Sequence, residues 1–228
     1  AENEEDALAQ IKTFLSYLPD NYKQLPPSMS SKDKPNRRED SLLNIIPKNR
    51  RKAYSMRKIL ELILDKDSFF ETSKMYGPSL ITGLARLNGI SVAILANDCM
   101  FYAGAMTADG SSKLRRFIDL VNTFNIPVLS FVDEPGFMIG PDSEKAGTIR
   151  HGTSAIAALM HSKVPWASVL VRKMFGVAGA AHFAPDGYVL SWPSAESGAL
   201  PVEGGVAIAF KKEIEEADNP EEKRKELE

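Results

Sequence analysis

The chain has 228 residues, 43% of them apolar and 25% charged, the composition of a globular protein with room for one large domain or a domain plus an arm. A formal charge of -2 gives no case for general nucleic-acid binding, and a single cysteine, Cys99, excludes an intramolecular disulfide and a multi-cysteine zinc cluster while fitting a reducing compartment. The apolar runs are strand-sized, so no membrane span is expected; the acidic start AENEEDALAQ is not a signal peptide, and the absence of an initiator Met is what a fragment would show.

Taken in chain order, NEEDALAQIKTFLSYLPDN predicts an amphipathic helix. Leu8, Ile11, Phe14, Leu15 and Leu18 keep helical spacing, and acids crowd its start. Pro19 and Pro26-Pro27 end it, and residues 26–40, rich in Pro, Ser and charge, read as a linker. The helix is therefore expected to be a docking arm. Lys32 to Lys58 holds ten Lys/Arg against three Asp/Glu, which suits either the phosphates of a nucleotide-like ligand or a solvated linker and helix face.

SMRKILELILD predicts a second helix. SLITGLARLNGISVAILAND predicts two apolar strands around Asn88-Gly89, a pair suited to a type I′ hairpin. SSKLRRFIDLVNTF places Leu114, Phe117, Ile118, Val121 and Phe124 on one helical face. Then follow strand IPVLSFVD, a small-residue helix TIRHGTSAIAALMHS, strand WASVLVRK, a short helix from GVAGAAHFA, strand YVLSW, and a helix from about Val206 to the end. Continuous apolar strands alternating with helices predict an α/β fold around a buried, largely parallel sheet.

Side-chain chemistry is sparse. His151, His161 and His182 lack metal-ligand spacing, Cys99 reads as a small buried side chain, and no GxSxG elbow, Walker A loop or GxGxxG fingerprint follows a strand. Two loops carry more. At MFGVAGAA, residues 174–181, small residues stand where a strand meets a helix. Unpaired first-turn amides there are suited to negative charge developing on an oxygen, although small residues serve tight helix–sheet packing equally well. FVDEPGFMIGPDSEKAGTIRHG is a long, Gly- and Pro-shaped crossing at a strand's carboxyl end, a place where α/β proteins bind ligands. Its Asp133 and Glu134 read either as general bases or as acids that cap a turn or pair with an arginine such as Arg150.

Together FVDEPGF, GTIRHG, VRKMFGVAGAA and NIPVLSFVD resemble the carboxyltransferase (beta) subunit of biotin-dependent acyl-CoA carboxylases, and the likeness extends to IIPKNRRKAYSMRKILELILDKDSFFE and ITGLARLNGISVAILAN. It covers roughly residues 40–217 and corresponds to the carboxyl-terminal of the family's two halves. The resemblance implies a crotonase-like ββα superhelix, a single domain with an amino-terminal helical arm. Residues 1–40 would be arm and linker from the end of the first half, and 41–228 a carboxyl-terminal domain that stops before the family's usual tail.

The same resemblance implies the biotin-binding half of a carboxyltransferase, moving a carboxyl group between carboxybiotin and an acyl-CoA without a metal in this domain. The N–H groups of Val177 and Ala178 would hold the ureido oxygen of biotin. Gly176, Pro135, Gly136 and Phe137 would shape the pocket, with Arg150, His151 and Gly152 at the start of the adjoining helix. Valine at 177 departs from the family's usual glycine. Implied partners are a biotin carboxyl carrier protein or domain, a biotin carboxylase subunit, the acyl-CoA substrate and further copies of the subunit, a hexamer for the full-length protein. The expected compartment is the cytoplasm, with the mitochondrial matrix as the alternative. A stand-alone crotonase-like hydratase or hydrolase, and a non-catalytic assembly fragment, are the rival readings.

Overall fold

The computed structural model describes residues 1–228 apart from positions 32, 35, 51 and 228. The helical elements are α1 (Glu4–Leu15), α2 (Met56–Ile63), α3 (Ala108–Thr123), α4 (Pro141–Lys145), α5 (Thr148–Met160), α6 (Gly176–Gly179), α7 (Val202–Ala209), α8 (Lys211–Glu215) and α9 (Pro220–Leu227). The strands are β1 (Phe70–Thr72), β2 (Leu80–Leu87), β3 (Ile90–Asn97), β4 (Val128–Glu134), β5 (Trp166–Phe175), β6 (Tyr188–Ser191) and β7 (Glu196–Gly198). They form one sheet in the order β1-β2-β3-β4-β5-β6, with β7 also on β5. The pairs among β1, β2 and β3 are antiparallel; those from β3 onward are parallel.

The predicted hairpin is present. Leu87 pairs with Ile90, and Asn88 (φ 50°) and Gly89 (φ 79°) both take the positive φ of a type I′ turn. Period-2 alternation then divides the apolar residues between two cores. Leu80, Leu84, Ala93 and Leu95 face α3 and α5, meeting Leu114, Phe117, Ile118, Val121, Ala155 and Leu159. Ile81, Ala85, Val92, Ile94 and Ala96 face α2, meeting Ile59, Leu60 and Tyr54, with Ile45 and Ile46 at the margin. This two-sided burial is why β2 and β3 read as unbroken apolar runs.

The arm docks only through its end. No residue of α1 is buried; Leu8, Ile11 and Leu15 are exposed, while Phe14, Tyr17 and Leu18 reach the first core. The following segment is fastened along the body: Arg86 donates to Ser16 O (2.8 Å), Ser91 Oγ to Pro27 O (2.9 Å) and Met29 N to Gly89 O (2.9 Å). Within the basic stretch, Arg37 donates to Leu62 O and Leu64 O, and Arg57 clamps Glu71 and Asp98. Lys32 and Arg51 of that stretch lie outside the described residues. The single terminal helix expected from Val206 is instead three short ones, interrupted where Phe210 leaves helical geometry (φ -115°, ψ 23°) and restarted at Pro220.

Lys113 of α3 is only 4% exposed, and its ammonium donates to Leu80 O at 2.6 Å. Burial pushes its pKa down to about 8. Between there and the ordinary lysine value of 10.5, the unfolded chain binds a proton that the native state has released, so this group makes stability rise with pH in that window. Relative to Lys113→Met, the unmodified protein should gain stability on the order of 1 kcal/mol from pH 8 to pH 10. Thermal unfolding of both proteins across that range checks the sign; a flat or falling difference rejects it.

Candidate active site

Three segments meet at the carboxyl edge of β4 and β5: the loop after β3, the start of the long crossing after β4, and the end of β5 with α6. The first two are joined by main chain, Met106 N donating to Gly136 O (3.0 Å) and Met138 N to Met106 O (2.9 Å). Gly104 (φ 91°) permits this approach, since a Cβ there would lie 2.7 Å from Asp133 O. Asn97, the last residue of β3, ties the edge together. Its Oδ1 accepts from Asp133 N (2.9 Å), and its Nδ2 donates to Gly104 O (3.2 Å) and Glu134 Oε2 (3.0 Å).

Asp133 and Glu134 are both fully buried. Asp133 accepts from Arg172 Nε and Nη2 (3.1 and 2.9 Å), the Tyr54 hydroxyl (3.0 Å) and Lys173 N (3.1 Å). Its arginine is thus Arg172 rather than Arg150, which is exposed and folds back over Gly147. Arg172 also stacks on the Tyr54 ring, 4.7 Å from its centroid, and donates to Lys52 O (2.9 Å). Burial, reinforced by the Asp133 charge, pushes the Tyr54 phenol far above its ordinary pKa. Glu134 caps the next turn by accepting from Gly136 N (3.0 Å). With every strong contact internal, neither carboxylate is available as a general base to a ligand at the surface.

The turn after β5 has the form that a backbone anion site needs. Gly176 takes the left-handed conformation (φ 63°). Val177 does not, so valine sits there without glycine-only strain, its side chain 70% exposed. Ala178 is buried in the first core. The leading amides of α6 have no partner within the helix.

The sequence-predicted residues separate into two groups. Pro135, Gly136 and Phe137 follow the end of β4, which pairs with β5 at Glu134–Met174, two residues before Gly176, and Phe137 shares the first core with Ala178. Gly152 belongs with them: a Cβ there would lie 2.3 Å from Phe137 Cε1, so the ring rests on the helix backbone. Arg150 and His151 do not join. Arg150 covers Gly147, and His151 Nδ1 meets Ser112 Oγ of α3 at 3.1 Å. The residues that sequence reasoning missed are Asn97 and Arg172, polar groups in runs read for their apolar pattern, and Tyr54, in a stretch read for its charge; His182 was weighed only as a metal ligand. Among the described residues no group of three or more His, Cys, Asp or Glu is placed to hold a metal, and no helix is long and apolar enough to cross a membrane.

The Gly152–Phe137 contact is testable. Gly152→Ala should destabilise the protein by about 1–3 kcal/mol through overpacking, despite alanine's better helix propensity. Adding Phe137→Leu should recover most of the loss in a urea-unfolding double-mutant cycle, whereas additive effects would disprove the coupling.

Residues 1–228 match the carboxyl transferase domain. The chain is 39% identical to the propionyl-CoA carboxylase carboxyltransferase subunit of Haloferax mediterranei, over 99% of its own length and 44% of that protein. It is 36% identical to the methylmalonyl-CoA decarboxylase alpha subunit of Veillonella parvula, over 93% and 42%. The transcarboxylase 12S hexamer, solved with methylmalonyl-coenzyme A and methylmalonic acid, superposes with a TM-score of 0.92 at 33% identity, covering all of this chain and 44% of that one. The chain therefore spans less than half the length of these relatives, and its fold is crotonase-like. A match over the whole sequence means that the chain belongs to the carboxyl transferase domain family.

Proposed function

We propose that the chain is the biotin-side half of an acyl-CoA carboxyltransferase, acting between carboxybiotin on a carrier domain and an acyl-CoA. The observation that carries this reading is the turn at 176–178. A left-handed glycine opens a helical turn at the carboxyl end of β5, and that turn carries no acidic residue. The cradle suits a neutral, planar ring whose one oxygen becomes anionic during reaction.

In this reading the N–H groups of Val177 and Ala178 donate to the ureido oxygen, and stabilise it most when negative charge develops there. Gly176 sets the direction of those amides. Pro135, Gly136 and Phe137 form the facing wall, Phe137 held from behind by Gly152. Arg150 and His151 position the crossing and the start of α5 rather than touching biotin. When bound, carboxybiotin supplies the carboxyl group and the base for the thioester α-proton. The amides serve both directions of transfer, so carboxylase and decarboxylase are equally compatible with this half.

Residues 1–40 are then arm and linker, and 41–228 the biotin-side domain. The acyl-CoA site is contributed by the family's other half, in an oligomer for which the hexameric relative is the guide. A biotin carrier and a biotin carboxylase are the remaining partners, in the cytoplasm or the mitochondrial matrix. The hydratase or hydrolase alternative loses support, because Asp133 and Glu134 are enclosed.

Calorimetry tests the assignment. A biotinylated carrier domain should bind and its unbiotinylated form should not; tight acyl-CoA binding with no response to biotin would overturn it. Gly176→Val, which forces a β-branched residue into a left-handed conformation, should lower carboxyl transfer by about 10²–10³-fold in the enzyme completed with an acyl-CoA-side half. It should leave acyl-CoA binding unchanged. Full turnover in that variant would reject the amide assignment.

A further inference from the structure

His182 is fully buried at the end of the segment that begins with Gly176, and its two ends are held differently. Its carbonyl is fastened to β5, accepting from Trp166 Nε1 (2.8 Å) and Ser168 Oγ (2.6 Å). Its ring reaches β4, where Nδ1 meets Ser130 Oγ at 2.9 Å. The other ring nitrogen, Nε2, has no hydrogen-bond partner and stands 3.6 Å from Glu134 Oε2. Glu134, also fully buried, is the carboxylate that closes the turn into Pro135-Gly136-Phe137.

The donors around Glu134 decide the state of this contact. Its Oε1 accepts from Gly136 N and its Oε2 from Asn97 Nδ2, so both oxygens serve as acceptors. A bare imidazole lone pair facing that oxygen would be repelled, so Nε2 carries the ring's proton and Ser130 serves Nδ1. The ring is then a strut. It links the end of the amide turn to the carboxylate that shapes the opposing loop.

We propose that His182 and Glu134 are positioning residues for the biotin-side site, setting the gap between the amides of Val177 and Ala178 and the wall at Pro135–Phe137. The inference rests on the function proposed above. Ser130, His182 and Glu134 superficially compose a hydrolytic triad, but all three are fully buried, so none is a nucleophile or base for a ligand. Their effect reaches the chemistry through main-chain placement. With Nε2 3.6 Å from the Glu134 oxygen, the His182 ring is a buried spacer between the two segments, and displacement of a reacting group by about 1 Å costs roughly 10²-fold in rate.

Two substitutions separate this role from packing. In His182→Asn the amide oxygen replaces Nδ1, accepting from Ser130 Oγ and losing the donor toward Glu134. In His182→Gln the amide reaches the Nε2 position and restores that donor. Both are assayed in the completed enzyme for transfer from a biotinylated carrier, alongside acyl-CoA affinity and thermal stability. His182→Asn should reduce kcat/KM for the carrier by about 10²-fold, His182→Gln by far less, with acyl-CoA affinity unchanged in each. Glu134→Gln, which places an amide against the donors of Asn97 or Gly136, should resemble His182→Asn. Equal losses in the two His182 variants, or carrier kinetics unchanged in His182→Asn and Glu134→Gln, would overturn the proposal while leaving the biotin-side function standing. An unmodified enzyme that ignores the biotinylated carrier would remove that function and this inference together.

Discussion

The ion pair between Asp133 and Arg172 is the interaction on which the carboxyl edge of the sheet depends. Both groups are almost completely buried, and a charge removed from water must be paired and hydrogen-bonded in full. Asp133 meets that requirement with Arg172, Tyr54 and the Lys173 amide; Arg172 meets it with Asp133, the Tyr54 face and Lys52 O. Removing one partner of such a pair costs about 3–5 kcal/mol, because the other charge remains in place.

What that pair holds is an irregular strand. β4 and β5 run in register to Val132–Leu170, but Glu134 is next opposite Met174, so four residues of β5 span two of β4. The bulge lies at Arg172 and Lys173, where the Asp133 carboxylate receives both a guanidinium and a main-chain amide. A bulge re-aims the chain beyond it. Here the chain beyond is Phe175-Gly176-Val177-Ala178. The pair also draws in Arg50, Lys52 and Tyr54, which explains why these residues before α2 lie against the edge rather than trailing from it.

The outcome, in the proposed reading, is a site made chiefly of main chain. The side chains that suggest chemistry in the sequence are enclosed: Asp133 and Glu134 in hydrogen bonds, His182 between strands, and Cys99 with its sulfur between the N–H and C=O of Tyr54. Burial raises the Cys99 thiol above its ordinary pKa, so it remains a protonated, weakly reactive group. What is exposed on these loops is Gly176 and the apolar side chains of Val177 and Ile139, with Ala178 buried behind the turn. Such a surface suits an uncharged ring brought by a carrier better than it suits a free, charged metabolite.

Much of this architecture was legible in the sequence by itself. The hairpin at Asn88-Gly89 follows from a pair of residues that tolerate positive φ, and the strands and helices of the core follow from local periodicity, which depends only on neighbours along the chain. The family was legible for the same reason: its loops are contiguous motifs. The tertiary structure alone decided which charges meet. Asp133 lies 39 residues from Arg172, Tyr54 lies 79 from Asp133, and His182 lies 52 from Ser130, separations at which periodicity carries no information. The nearer Arg150 was the natural guess for Asp133, yet it leaves on the far side of a glycine turn. Likewise, that Val177 fits where a glycine was expected follows from its own backbone lying outside the left-handed region, which Gly176 occupies. Local pattern determines which elements form; only their packing together determines which buried polar groups satisfy one another, and so where the backbone of the site points.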